Sequence, residues 1–184
     1  MLVSLLQTII SLMIAAFIIR YHCEIHHIIH FNPLARRLKD ITEPVVLPVR
    51  DIVKKALLKT QFRPKNDPSP LIVAWLLSLI TGLAFTRANL SAGFSIGTFW
   101  FFCGTWVSVM IYSLFLSVIA SWLQTPRQQP VLQIAETCHE FFMRPLRKLI
   151  PPLLNIIDIT PIIAFIVLYM IKNQFLAALA FGAS

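Results

Sequence analysis

The chain has 184 residues, of which 57% are hydrophobic and only 13% charged, and its mean hydropathy is +0.75. Soluble domains carry about 25% charged residues, so this composition excludes an ordinary soluble domain and specifies an integral membrane protein, with room for about four spans of roughly 20 residues each. The net charge of +8 does not point to nucleic acid: ten of the sixteen basic residues fall between Arg20 and Lys65 and four between Arg127 and Lys148, the clustering that marks cytoplasmic loops and anionic headgroups.

The first span is expected over residues 2–20, a nearly uninterrupted apolar run with no basic residue before it and Arg20 at its close. A cleavable signal would have its charge first and small residues after the apolar core; here Arg20-Tyr21-His22 follows, so the segment stays, with the N-terminus outside and Arg20 inside. Over 33–60, Leu34, Leu38, Ile41, Val45, Val49, Ile52, Val53, Ala56 and Leu57 recur at spacings of three and four between basic residues. That is an amphipathic helix, too charged to span and apolar enough to lie in the interface. Pro44 and Pro48 each remove an amide donor, which predicts a kink or a restart there.

A turn over 62–69 leads into the second span, about 70–88, with Ser69 expected as its N-cap, Pro70 as its first helical residue and Asp67 just ahead of the positive end of the helix dipole. The third span, about 93–123, covers roughly 45 Å at 1.5 Å per residue, longer than a hydrocarbon core near 30 Å. Small and hydroxyl residues recur along it at Gly93, Gly97, Thr105, Ser113, Ser117 and Ser121, which fits a helix packing face or the lining of a polar path. A second amphipathic segment follows over 130–150 and stops at Pro151-Pro152. Asp158, Thr160 and Pro161 then cap a fourth span over 160–181.

The order span, interfacial helix, span therefore occurs twice, over 1–92 and 93–184. Pro33, Glu43, Pro48 and Arg50 stand 97 positions before Pro130, Glu140, Pro145 and Arg147, and Asp67 and Ser69 stand 91 before Asp158 and Thr160. Two spans per copy insert both copies the same way up, so the fold expected is an all-α membrane protein of four transmembrane helices in two parallel repeats, unlike inverted-repeat transporters. Both amphipathic segments then share one face. It carries fourteen of the sixteen basic residues and is cytoplasmic by the positive-inside rule, which leaves both termini periplasmic.

Asn32-Pro33-Leu34, Thr42-Glu43-Pro44 leading to Leu47-Pro48-Val49-Arg50, Arg144-Pro145-Leu146-Arg147 with Ile150-Pro151-Pro152, and Asp158-Ile159-Thr160-Pro161 together resemble the YggT family, called YlmG in other lineages. The two-copy arrangement resembles its Gram-negative form, which implies a bacterial inner membrane. Leu153-Leu154-Asn155 replaces a glycine pair often seen in that family, and Arg63-Pro64-Lys65 stands in the first copy, so these turns are expected to differ in shape. The resemblance implies roles in osmotic or ion homeostasis, in division or nucleoid organisation, or, in plastids, in maturation of a b-type cytochrome. It brings no catalytic residues.

Arg50 and Arg147, two residues after a shared proline, suit bidentate contact with lipid phosphate or with a carboxylate such as Glu43 or Glu140. Seven residues separate Arg50 from Glu43, two turns of an unbroken helix, so contact between them is expected only if the helix kinks. His22, Cys23, Glu24, His26, His27 and His30 are the densest set of potential metal ligands, read first as interfacial side chains and second as a metal or haem contact. Lys172 is the one charge well inside a span and, with Ser113 and Ser117, forms a candidate intramembrane polar site; snorkelling is the alternative. Cys23, Cys103 and Cys138 have no C-x-x-C spacing and supply no disulfide framework. No nucleophile constellation, phosphate loop or zinc motif is present, so no enzyme activity and no cofactor are expected. The leading expectation is an assembly, organisation or osmotic-tolerance factor. Its arms would bind anionic lipid or a membrane protein partner, including a second copy of itself, and not nucleic acid. The rival is an ion channel or ion-transport subunit.

Overall fold

The computed structural model describes residues 2–60, 66–87, 89–149 and 160–181, and every regular element among them is helical: α1 (Leu2–Ile25), α2 (Pro33–Thr60), α3 (Ser69–Phe85), α4 (Leu90–Ser95), α5 (Gly104–Trp122), α6 (Pro130–Leu149), α7 (Thr160–Met170) and α8 (Ala177–Phe181). A π-helical segment, Ile96–Cys103, joins α4 to α5 without a break, so Leu90–Trp122 is one apolar helix of 33 residues. A second π-helical segment, Ile171–Leu176, joins α7 to α8 within Thr160–Phe181. These two helices and α1 are long and apolar enough to cross a membrane. The expected second span is α3, which ends at Phe85 after 17 residues, about 25 Å at 1.5 Å per residue. Asp158, Ile150 and Pro151 to Asn155 lie outside the described residues.

The duplication is visible in the elements. α1 ends at Ile25 and α5 at Trp122, and α2 begins at Pro33 and α6 at Pro130, each pair 97 positions apart; α3 and α7 begin on Ser69 and Thr160, 91 apart. It is visible in the packing too. Phe17 of α1, Val46 of α2 and Val73 of α3 share one buried cluster, and their counterparts Leu114, Met143 and Ala164 share another between α5, α6 and α7. Burying the same three positions twice means that each copy folds its charged helix, α2 or α6, over its own pair of apolar helices. Asn32 ties the copies together: its side-chain oxygen caps α2 by accepting from the Leu34 and Ala35 amides at 3.0 and 3.1 Å, while its Nδ2 donates to the Pro130 carbonyl at 2.8 Å and to Gln133 Oε1 at 2.9 Å.

α2 is one continuous helix through Pro44 and Pro48, so of the kink or restart expected at the prolines, the restart does not occur. Each proline removes one N–H and crowds the carbonyl four residues back, and the helix is held from outside by the side-chain bonds described below. α1 extends five residues past the expected end of the first span, which draws Arg20, His22, Cys23 and Glu24 into the helix.

The small-residue series on the long helix divides. Gly93 and Gly97 face Gly82 of α3 so closely that a Cβ at Gly82 would sit 2.3 Å from the Gly93 carbonyl oxygen and 2.5 Å from the Gly97 nitrogen. Such backbone approach is how helices gain contact where lipid offers no hydrophobic drive. The Gly82→Ala variant is therefore expected to lose about 1–3 kcal/mol of stability, seen as an earlier midpoint of detergent-induced unfolding. At Gly104 an added Cβ would meet its nearest neighbour at an ordinary 3.5 Å, so Gly104→Ala should unfold close to the parent; equal losses at both sites would refute a specific close approach.

Candidate functional site

The polar centre of the first repeat is built on Arg20, whose side chain is fully buried near the end of α1. A guanidinium has five donors in a fixed plane, and here they are met from two helices. Nε donates to Glu24 Oε1 at 2.9 Å, one turn along α1. Nη1 donates to Thr42 Oγ1 at 2.8 Å and to the Lys39 carbonyl at 3.4 Å, and Nη2 to Glu43 Oε2. Glu43 is shared: its Oε1 accepts from Arg50 Nη1 at 2.7 Å. Arg50 Nε donates to Asp67 Oδ2, and its Nη2 stands 3.6 Å from Glu24 Oε1. The other Asp67 oxygen accepts from the Ser69 amide at 3.0 Å and from the Ser69 hydroxyl. One chain of charge-assisted bonds thus links α1, α2 and the start of α3.

Two expectations are corrected by this geometry. Arg50 and Glu43 do touch, in a helix that does not restart between them, as positions seven apart lie on one face and two long side chains reach across the two turns. Ser69 is not the N-cap. It is the first residue of α3, and the Asp67 carboxylate accepts from its amide while Pro68 occupies the cap position.

Burial alone would raise the Glu43 carboxyl, but the bonds and charges of Arg20 and Arg50 outweigh it and hold Glu43 below its ordinary range. Burial would likewise raise Asp67, which the Ser69 bonds and then Arg50 bring below the usual carboxylate value. Burial opposes the charge on Arg50, and Asp67 and Glu43 more than restore it. Folded carboxyls held low contribute stability above their unfolded pKa, near 4, and lose it as pH falls through the folded values.

The second repeat presents the same backbone with different chemistry. Glu140 accepts from Arg144 at 2.9 and 3.0 Å and lies 3.8 Å from His26 Nδ1. Arg147 and Lys148 are exposed, and Pro48 and Pro145 are both on exposed faces. Thr160, fully buried, opens α7 as Ser69 opens α3. His139 is buried against Ser113, its Nδ1 3.3 Å from the Ser113 hydroxyl, which also donates to the Met110 carbonyl at 2.9 Å. Burial pulls the His139 imidazole down to about 4. Beside it, Ser117 Oγ is buried with no hydrogen-bond partner. Ser117, His139, Glu140 and Arg147 line a half-open cavity of about 1100 Å³ between α5, α6 and α7.

The remaining candidates are dispersed. Lys172 is half-buried in the π-helical segment Ile171–Leu176, and it does not line the cavity that Ser117 lines. His22 points into an aromatic cluster, accepting at Nε2 from Trp106 Nε1 at 3.0 Å and stacking on Phe141 with centroids 5.6 Å apart. His27 takes a left-handed backbone with φ 56°, and the His30 carbonyl accepts from Arg36 at 2.6 Å. Among the described residues, no three of His, Cys, Asp and Glu gather as a metal site would require, and all three cysteines are free. Arg20, Glu24, Thr42, Asn32 and His139 are the polar residues that periodicity and charge counting passed over. The signal for the first two was present in the i,i+4 pairing of an arginine and a glutamate at the end of an apolar run.

Glu43→Gln leaves two guanidiniums short of a carboxylate and should cost about 3 kcal/mol or more, whereas Glu140→Gln should cost about 0–1 kcal/mol; unfolding in mixed micelles compares them, and equal losses would refute the asymmetry. His139 gives a second expectation. Its folded pKa of about 4 lies below the ordinary 6.5, so its contribution is complete above pH 6.5 and lost as pH falls towards 4. The parent should lose stability across that window and His139→Gln should lose less, as a pH series of unfolding midpoints would show.

A family model described as CCB3/YggT matches residues 1–87 and 96–179. The chain is 27% identical over 178 residues to the uncharacterized protein PA0392 of Pseudomonas aeruginosa, covering 92% of this chain and 85% of that one. It is 25% identical over 172 residues to the uncharacterized protein YggT of Escherichia coli, covering 91% and 85%. An uncharacterized protein of Haemophilus influenzae is 22% identical over 167 residues, covering 90% and 86%. No solved structure matches. With matches over both repeats and the quoted proline, glutamate and arginine positions held in place by the fold, the chain belongs to the CCB3/YggT family.

Proposed function

We propose that this is a non-enzymatic protein of the bacterial inner membrane whose two interfacial helices, on the cytoplasmic face with both termini periplasmic, bind anionic lipid and so support membrane assembly, organisation or osmotic tolerance. One observation carries the reading. α2 buries Ala35, Thr42 and Val46 against the protein and leaves a second apolar line uncovered, with Leu34, Ile41, Val45 and Ile52 exposed by 39, 77, 50 and 67%. Spacings of seven, four and seven put these four on one stripe of the helix. Arg37 and Lys55 flank it and Arg36 and Lys54 lie farther round the helix, all four exposed. A helix with one face on protein, an adjacent apolar stripe and a basic edge lies at a bilayer surface, the stripe in the acyl boundary and the cations among phosphates.

Arg50 fits this reading as a brace. Its guanidinium is engaged by Glu43 and Asp67, so it sets the pose of α2 while the exposed lysines and arginines meet the headgroups. The ion-conducting alternative gains no support from the polar residues of the long helix, since Ser113 is occupied by Met110 and His139 and Lys172 stands apart from Ser117.

Near an anionic surface each basic residue contributes about 1 kcal/mol. Replacing Arg36, Arg37, Lys54 and Lys55 together by Gln should therefore strip most retained phosphatidylglycerol from the purified protein in native mass spectrometry and flatten the salt dependence of its binding. The fold should persist, as all four side chains are exposed and the bond from Arg36 to the His30 carbonyl that is lost lies at the surface. Equal retention of phosphatidylglycerol by parent and variant would sink the proposal.

A further inference from the structure

The cavity between α5, α6 and α7 occupies the place that the Arg20 side chain fills in the first repeat. Position by position at the offset of 97, Arg20 corresponds to Ser117, and the four residues its guanidinium contacts, Glu24, Lys39, Thr42 and Glu43, correspond to Ser121, Glu136, His139 and Glu140. All five counterparts line the cavity. The long cation of the first repeat has become a serine, and the space around its absent side chain persists. Ser117 Oγ, at the base of the missing side chain, is buried and has no hydrogen-bond partner among the described residues. Such a hydroxyl is satisfied only when water or a ligand in the cavity completes it.

The occupant of the equivalent place in the first repeat, a guanidinium, shows what kind of ligand fits. In the first repeat the Arg20 guanidinium bridges Glu24 and Glu43; in the second, the corresponding positions carry Ser117, Ser121 and Glu140, and Glu140 accepts from Arg144 at 2.9 and 3.0 Å. Arg147 and Arg127 also line the cavity; Arg147 is the counterpart of Arg50, which shares Glu43 with Arg20 in the first repeat, so a carboxylate at this place in the fold accommodates two guanidiniums. The walls toward α7 are apolar, formed by Ile162, Phe165 and Ile166, and suit an alkyl body behind the charged head.

We propose that this cavity is a binding site for an organic cation, a guanidinium or primary ammonium on an apolar chain, whose charged group takes the position of the Arg20 guanidinium between Ser117 and Glu140. The chemistry is shared by two sources, the ammonium headgroup of an ethanolamine lipid and a free alkylated cation. n-Butylguanidinium and its neutral isostere n-butylurea serve as probes, titrated into the purified full chain in detergent micelles and followed by calorimetry and by ligand-observed NMR. Saturable binding of butylguanidinium, at least tenfold tighter than butylurea, is expected. Ser117→Arg, which supplies the guanidinium from within, should abolish it, and Glu140→Gln should weaken it about tenfold while the protein stays folded. No binding by the parent, equal binding of the urea, or undiminished binding in the folded Glu140→Gln protein would overturn the proposal, and the last comparison stands even if Ser117→Arg does not fold. Displacement of the bound probe by short-chain phosphatidylethanolamine but not phosphatidylglycerol assigns the lipid source. Binding of the probe without such displacement assigns a free cation.

Discussion

The buried Arg20 guanidinium is the constraint on which the first repeat depends. Removing a full charge from water costs several kcal/mol even after relaxation, and an arginine near the end of a membrane helix is stable only where carboxylates and carbonyls converge on it. Those acceptors come from Glu24 on its own helix and from Thr42, Glu43 and Lys39 on α2. α2 therefore has one acceptable height and rotation against α1. Because Glu43 also holds Arg50, and Arg50 holds Asp67, the start of α3 is fixed by the same chain of contacts. Lysine could not replace Arg20, since a single ammonium has three donors on one atom and cannot reach acceptors spread around a plane.

That constraint explains how a helix containing two prolines remains a helix. Pro44 and Pro48 leave the Asp40 and Pro44 carbonyls without their usual donors, which weakens the backbone ladder just where Glu43 and Arg50 bridge it from the side. Side-chain bonds spanning two turns substitute for the missing amide bonds, and the inner face, with Thr42 and Val46 buried, stays against α1 and α3. The outer stripe of Leu34, Ile41, Val45 and Ile52 is then exposed as a consequence of how the inner face is pinned.

Much of this fold was legible in the sequence because apolar periodicity and length report directly on spans and amphipathic helices. The amphipathic segment over 33–60 was drawn from the three- and four-residue spacing of its leucines, isoleucines and valines, and the structure gives Pro33–Thr60. The site was less legible. Glu43, Arg50 and Asp67 stood out through repetition, but their joint contact did not, since a two-turn gap in a proline-containing helix hides it. Arg20 was missed for a physical reason: a basic residue after an apolar run looks the same whether it is a topogenic charge in water or a buried guanidinium. Only the tertiary placement of Thr42 and Glu43 separates the two. The difference at position 117 was in plain view at the offset of 97, but a serine in a membrane helix carries no meaning until its counterpart is known to be an ion-pair centre.

A duplicated fold allows its two copies to diverge in what fills them while the backbone stays the same. In the first copy Phe17, Val46 and Val73 pack below a polar centre closed by the protein's own cation; in the second, Leu114, Met143 and Ala164 pack equivalently below a centre left open by one substitution. The open copy does not collapse, because Asn32 fastens its arm to the closed copy through Pro130 and Gln133 and the apolar triad beneath is intact. A void of this kind in an isolated helical hairpin would close by repacking; beside a rigid twin it persists. The stiffness set by Arg20 in one half is thus what makes a preformed cavity around Ser117 possible in the other.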